Sequence, residues 1–165
     1  IVTKVVIGGE KRQDSVYNGF CEVSPQTEIV LVHDGVRPFL SRRMIQESVD
    51  VAREYGAAIT AIPVYDTIKR VDTFGLVSQT VDREGLWRVQ TPQVFRYEIL
   101  KEAFKKANSE KFYGTDEGTL IDHLGKPVKV VEGSEQNIKI TRPEDLRLSE
   151  IFISKVLPGN SFPLK

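Results

Sequence analysis

The run Ile29-Val30-Leu31-Val32-His33-Asp34 places four apolar residues in a row, with no polar alternation, before a histidine and a carboxylate. A strand with one wet face alternates apolar and polar residues, whereas a strand covered on both faces does not. The run therefore reads as a buried strand of an α/β sheet. Downstream, Ile45, Ser48, Val49 and Ala52 recur at helical spacing, and Gly56 stops that helix. Ala57 to Pro63 is a second buried strand. Upstream, Val16, Phe20 and Val23 share one face of a helix, and Thr3 to Ile7 is a β-branched strand that ends at Gly8-Gly9. Strand, helix, strand, helix, strand predicts right-handed crossovers and a doubly wound sheet.

The rhythm then breaks. Asp66 to Val71 and Leu76 to Val81 are short β runs around Asp72-Thr73-Phe74-Gly75, which reads as a hairpin serving as a lid or a dimerisation arm. A helix follows from about Tyr97 to Asn108, burying Leu100, Ala103, Phe104 and Ala107. A shorter one starts near Thr115, with Asp116 and Glu117 facing the positive end of its dipole. Val128 to Val131 is a further strand. The last helix opens on Thr141-Arg142-Pro143-Glu144, a capping box with an early proline. The reading is one α/β domain over 1–157, with a β-arm at about 66–86 and a tail at 158–165.

A chain of 165 residues fits one domain with a sizeable core. Its 40% apolar and 28% charged residues mark a globular composition. Lys+Arg and Asp+Glu are both 23, so no global field attracts nucleic acid or an acidic membrane. No apolar run reaches the roughly 18 residues needed to span a bilayer. The single cysteine, Cys21, rules out an intrachain disulfide and points to a reducing, cytoplasmic compartment. It sits in the apolar pattern of the first helix and is expected to be a buried structural thiol. The chain opens on Ile1-Val2-Thr3, which reads as a strand already under way.

In open α/β sheets, ligands gather at the carboxyl ends of strands. Gly8-Gly9-Glu10-Lys11-Arg12 with Ser15, His33-Asp34 with Arg37, Tyr65-Asp66-Thr67-Ile68-Lys69, and Asn137-Ile138-Lys139 all follow or flank strands. Glycines, cations and acids concentrated there suit a phosphate ligand with a divalent metal. Asp34 could bridge magnesium to a polyphosphate, or could simply cap a turn. His33 reads as a packing residue, since no second histidine stands at ligand spacing. Arg37, Arg83 and Lys139 are candidate phosphate clamps, though each could be a solvated cation, and Arg83 could pair locally with Asp82.

Taken in order, these segments closely resemble one family. Gly8-Gly9-Glu10 with Arg12 and Asp14-Ser15-Val16, His33-Asp34 with Arg37-Pro38, Asp66-Thr67-Ile68-Lys69-Arg70, Val81-Asp82-Arg83, Thr91-Pro92-Gln93, Thr115-Asp116-Glu117 and Asn137-Ile138-Lys139 through Leu146 look like the 2-C-methyl-D-erythritol 4-phosphate cytidylyltransferases. The resemblance implies a Rossmann-like, three-layer nucleotidyltransferase fold with a protruding β-hairpin dimerisation arm. It implies CMP transfer from CTP to the sugar-alcohol phosphate, with magnesium as cofactor. It also implies roles. Gly8, Gly9 and Ser15 would contact the cytidine, and Asp34 would hold the metal. Arg37 would support the substrate side. Lys139 would orient the attacking phosphate. Thr67 and Arg83, on the arm, would bind the substrate in a second subunit's site, making a homodimer.

The family also carries a glycine-rich loop with an Arg and a Lys ahead of this region, and the sequence contains no Gly-x-Gly-x-Arg. On that ground the chain alone is expected to be a poor catalyst. Two other readings stay open: a ribitol 5-phosphate cytidylyltransferase, and a non-catalytic nucleotide-binding or dimerisation fragment.

Overall fold

The computed structural model describes residues 2–156. The tail expected over 158–165 lies outside them. Among the described residues, five helices and six strands follow in the order α1 (Arg12–Phe20), β1 (Ile29–Val32), α2 (Arg42–Tyr55), β2 (Ala57–Pro63), β3 (Ile68–Val71), β4 (Val77–Val81), β5 (Trp87–Arg96), α3 (Tyr97–Glu110), α4 (Glu117–Leu124), β6 (Lys129–Glu132) and α5 (Pro143–Val156). The main sheet has the order β1-β5-β2-β6. β6 runs parallel to β2, while β5 runs antiparallel to both β1 and β2.

β5 adds to the expected doubly wound sheet a strand that runs against both its neighbours. Among the described residues it is the longest strand, and it lies between β1 and β2. Its polar middle, Gln90-Thr91-Pro92-Gln93, argues locally against a central strand, because proline cannot donate to a ladder. The register with β2 jumps there, from Ile59 opposite Gln93 to Ala61 opposite Val89. The extra β5 residues bulge out of the ladder, and the cis bond Thr91-Pro92 sits among them.

Both faces of the sheet are covered, giving three layers. On one face Phe20, Val30, Ala57, Phe95, Leu100 and Phe104 pack α1, α3 and α4 against the strands. On the other, Ala52 of α2 meets Ala58, Val94 and Val131. Adjacent residues such as Val94 and Phe95 thus point into different layers, which is why their run shows no alternation. Each fully buried Leu or Phe contributes about 1.5–3 kcal/mol.

Helix ends follow local chemistry. Ser41 caps α2 by accepting the Met44 N–H at 3.2 Å, and Gly56 ends it at φ 94°. At α5 the anchor is Asp145, not Glu144: its carboxylate accepts the N–H groups of Thr141 and Arg142, both at 2.9 Å.

Two further expectations change. Thr3 to Ile7 forms no strand; Val5 and Ile7 are each 88% exposed. β-branched composition does not hold a strand without a neighbouring ladder. Cys21 is exposed, one residue past the end of α1 and off the face that buries Phe20. The hairpin forms as expected. β3 and β4 make their own two-stranded sheet, and Val71, Phe74, Leu76 and Val77 on it are all more than half exposed.

Candidate functional site

Asp34 stands just beyond the carboxyl end of β1, and three cations converge on it. Lys139 Nζ lies 3.1 Å from its carboxylate, Arg12 Nη2 3.4 Å and Arg37 Nε 3.6 Å. Arg12 comes from the first turn of α1, Arg37 from the loop after β1, and Lys139 from the loop after β6. These residues line a cleft of about 240 Å³, whose floor is Gln90, Thr91 and Gln93 of β5. The bulge that hid β5 from sequence reading is thus what brings its polar side chains to the strand ends.

One chain of hydrogen bonds braces the start of the Asp34 loop. The Asp34 N–H donates to Thr91 Oγ1 at 3.1 Å, and Thr91 Oγ1 lies 3.0 Å from His33 Nδ1. His33 Nε2 is 2.9 Å from the Arg37 carbonyl, which can only accept. That assigns the ring proton to Nε2 and leaves Nδ1 to accept from the threonine. Both ring nitrogens are engaged, so His33 is a bracing residue, in line with its reading as a packing histidine.

The charges act on one another. Burial would raise the Asp34 carboxyl, but Lys139, Arg12 and Arg37 outweigh it and hold it below its ordinary range. Burial pulls the Arg37 guanidinium down despite Asp34. Burial also opposes the charge of Arg12, yet Glu117 and Asp34 together raise its pKa. Glu117 is 1% exposed, and Arg12 Nη1 donates to both its oxygens at 2.8 and 2.9 Å. Burial still pushes the Glu117 carboxyl up against that pull.

Of the residues expected in the site, Asp34, Arg37 and Lys139 come together. Gly8 and Gly9 lie apart in an exposed turn before α1, and half-buried Ser15 of that helix accepts the Gly9 N–H on its Oγ at 3.0 Å. A Cβ at Gly9 would lie 2.3 Å from Asp14 Cβ, so this close approach requires glycine. Thr67 and Arg83 lie exposed at the base of the hairpin, outside the lining of this cleft. Arg83 donates to the Tyr65 carbonyl rather than pairing with Asp82, whose carboxylate accepts the Glu84 N–H at 3.0 Å. Sequence reasoning left Gln90, Gln93 and the Arg12–Glu117 pair without roles in the site. The signal for the glutamines was two amides flanking a Thr-Pro step inside an otherwise strand-like run. Glu117 was read as a dipole residue, because nothing local to it points back to Arg12.

Among the described residues, no group of three His, Cys, Asp or Glu side chains could hold a metal ion. Asp34 offers a single carboxylate. That suits magnesium only in its common mode, with one or two carboxylates and the remaining ligands from substrate phosphates and water.

A sequence model of the family 2-C-methyl-D-erythritol 4-phosphate cytidylyltransferase matches residues 2–155. The chain belongs to this family. The cytidylyltransferases of Pelotomaculum thermopropionicum and Syntrophus aciditrophicus are 52% and 50% identical to it, each over 92% of the chain. The chain spans 64% of the length of each of these two relatives. The crystal structure of the Thermus thermophilus cytidylyltransferase matches with a TM-score of 0.81 at 38% identity, covering 88% of this chain and 70% of that one. That of Francisella tularensis matches at 0.80 and 34%, covering 87% and 69%. The fold is accordingly the Rossmann-like nucleotidyltransferase fold that the family resemblance implied. No helix among the described residues is long and apolar enough to cross a membrane.

Proposed function

We propose that this protein transfers CMP from CTP to 2-C-methyl-D-erythritol 4-phosphate, giving 4-diphosphocytidyl-2-C-methyl-D-erythritol and pyrophosphate, in non-mevalonate isoprenoid biosynthesis. Beside family membership, the observation that supports this reading is the ring of Arg12, Arg37 and Lys139 around Asp34. An oxygen of the alcohol phosphate attacks the α-phosphorus of CTP. The bond from that phosphorus to the bridging oxygen breaks, and pyrophosphate leaves with the electron pair. Negative charge grows on the phosphoryl oxygens, so catalysis is positioning plus cationic stabilisation. Lys139 serves by turning from Asp34 toward the α-phosphate and the attacking phosphate. Magnesium, when bound, would neutralise phosphate charge, with Asp34 as its protein ligand.

Gly8, Gly9 and Ser15 contact the cytidine in this reading, and Arg37 supports the substrate side. Thr67 and Arg83 grip the alcohol phosphate in a partner's site, which makes the enzyme a homodimer held by the exposed hairpin. A cytoplasmic location accords with a lone cysteine. The test assays this chain, and the chain extended at its amino end through the family's glycine-rich loop, with CTP and magnesium. Release of pyrophosphate with methylerythritol phosphate supports the reading. Faster turnover with ribitol 5-phosphate overturns the substrate. CTP binding without turnover in either protein overturns the enzyme.

A further inference from the structure

The loop that carries Lys139 has to cross the width of the sheet. It leaves β6, one edge of the sheet, and delivers Lys139 to Asp34 beyond β1, the other edge. Several contacts set its course, among them an exposed ion pair in which Arg88 of β5 donates to both oxygens of Glu135 at 2.8 Å. Over β2, the Gly133 N–H donates to the Ala61 carbonyl at 2.8 Å. Over β5, Gln90 Nε2 donates to the Ser134 carbonyl at 2.9 Å, while Gln90 Oε1 accepts from Asn137 Nδ2 at 3.2 Å. Asn137 Nδ2 also donates to the Thr91 carbonyl at 2.8 Å. Because that carbonyl can only accept, the orientation of the Asn137 amide is determined. At the far end, the Asn137 carbonyl accepts from Arg37 Nη1 at 2.6 Å, and the Ile140 N–H donates to the Val36 carbonyl at 2.9 Å.

Asn137 is fully buried, and its Oδ1 has no hydrogen-bond partner among the described residues. Packing alone would favour an apolar side chain at such a position, since an unpaired buried acceptor is costly. What the asparagine adds is the pair of donated bonds that holds the loop two residues before Lys139.

We propose that Asn137, braced by Gln90, is the positioning residue of Lys139. It sets the place of the ammonium beside Asp34 without touching substrate. The proposal rests on the reaction assigned above.

The test is a double-mutant cycle of Asn137→Ala and Lys139→Ala in the full-length enzyme. Asn137→Ala is expected to lower kcat by about 100-fold, the effect of an ångström-scale misplacement. KM for CTP should stay within about threefold, because ground-state binding is not its role. In the Lys139→Ala background the same change should cost little more, since its effect runs through Lys139. An unchanged kcat, or equal losses in both backgrounds, overturns the proposal. Amide exchange on the substrate-free proteins supplies a readout independent of the reaction: the Ile140 amide should exchange faster in Asn137→Ala while the helices keep their protection. Unchanged protection at Ile140 also overturns it. A wild-type enzyme that does not turn over these substrates defeats the assigned reaction and leaves the exchange result to decide the role of Asn137. Should Asn137→Ala fail to fold, Gln90→Leu enters the same cycle with the same expectations.

Discussion

Lys139 Nζ lies 3.1 Å from Asp34 Oδ2, and this contact ties the loops of the two opposite edges of the sheet together. It is also an ion pair that a polyphosphate can replace on either side. Anionic oxygens attract the lysine, and a divalent cation attracts the aspartate.

Lys139→Ala should therefore lower kcat of the full-length enzyme by about 100- to 1,000-fold, the usual loss of one preorganised charge stabiliser. Single-turnover measurement of pyrophosphate release checks it. A loss confined to KM would show that Lys139 binds substrate without stabilising the transition state.

Asp34 should make stability depend on acid in a defined direction. Its folded pKa lies below the ordinary aspartate value of 3.8. A depressed folded pKa contributes stability that is present above the unfolded value and lost as pH falls through the folded one. The stability lead of wild type over Asp34→Asn should thus be full near neutral pH and shrink as pH drops below about 4. Urea titrations of both proteins at a series of pH values measure it. A lead that grows toward acid would contradict the pairing.

Gly133→Ala should disturb the same loop from the other end. A Cβ there would lie 2.4 Å from Gln90 Oε1 and 2.9 Å from Thr60 Cγ2. Overpacking of this kind costs about 1–3 kcal/mol. Thermal unfolding should register the loss, and kcat should fall with it, because Gln90 is displaced from Asn137.

Arg83→Ala tests the arm. The residue is exposed, and so is its bond to the Tyr65 carbonyl, so its removal should shift the unfolding midpoint little. KM for the alcohol phosphate should rise far more than KM for CTP. Equal rises would remove Arg83 from the substrate site. Sedimentation of the same protein reports whether the hairpin holds two subunits together.

Glu117→Gln should loosen Arg12. The buried carboxylate takes two bonds from one guanidinium nitrogen, and a charged bond of this kind is worth about 1.5–3 kcal/mol. Denaturant unfolding near neutral pH should show a loss of that order. No loss would mean that the burial cost of Glu117 cancels its pairing.

Local pattern carried much of the fold. Ala57–Pro63 is a strand because a continuous apolar run needs cover on both faces, and α2 lies between Ser41 and Gly56 because a hydroxyl cap and a left-handed glycine mark its ends. Ile29–Val32 is a strand too, but an edge strand, in which Val30 is buried and Leu31 exposed, so its expected cover on both faces is not found. The order of short motifs likewise identified the family, and singled out Asp34, Arg37 and Lys139 before their contacts were visible. Those properties reside in neighbours along the chain, and a sequence displays neighbours. Tertiary structure alone decided that β5 enters between β1 and β2 in the opposite direction, with its polar bulge under the site. It also decided that Arg12 reaches Glu117 and that Asn137 hangs the Lys139 loop from Gln90 and Thr91. Each of these is a hydrogen bond or ion pair between residues distant in sequence, and its strength depends on burial and geometry that come into being only when the layers close.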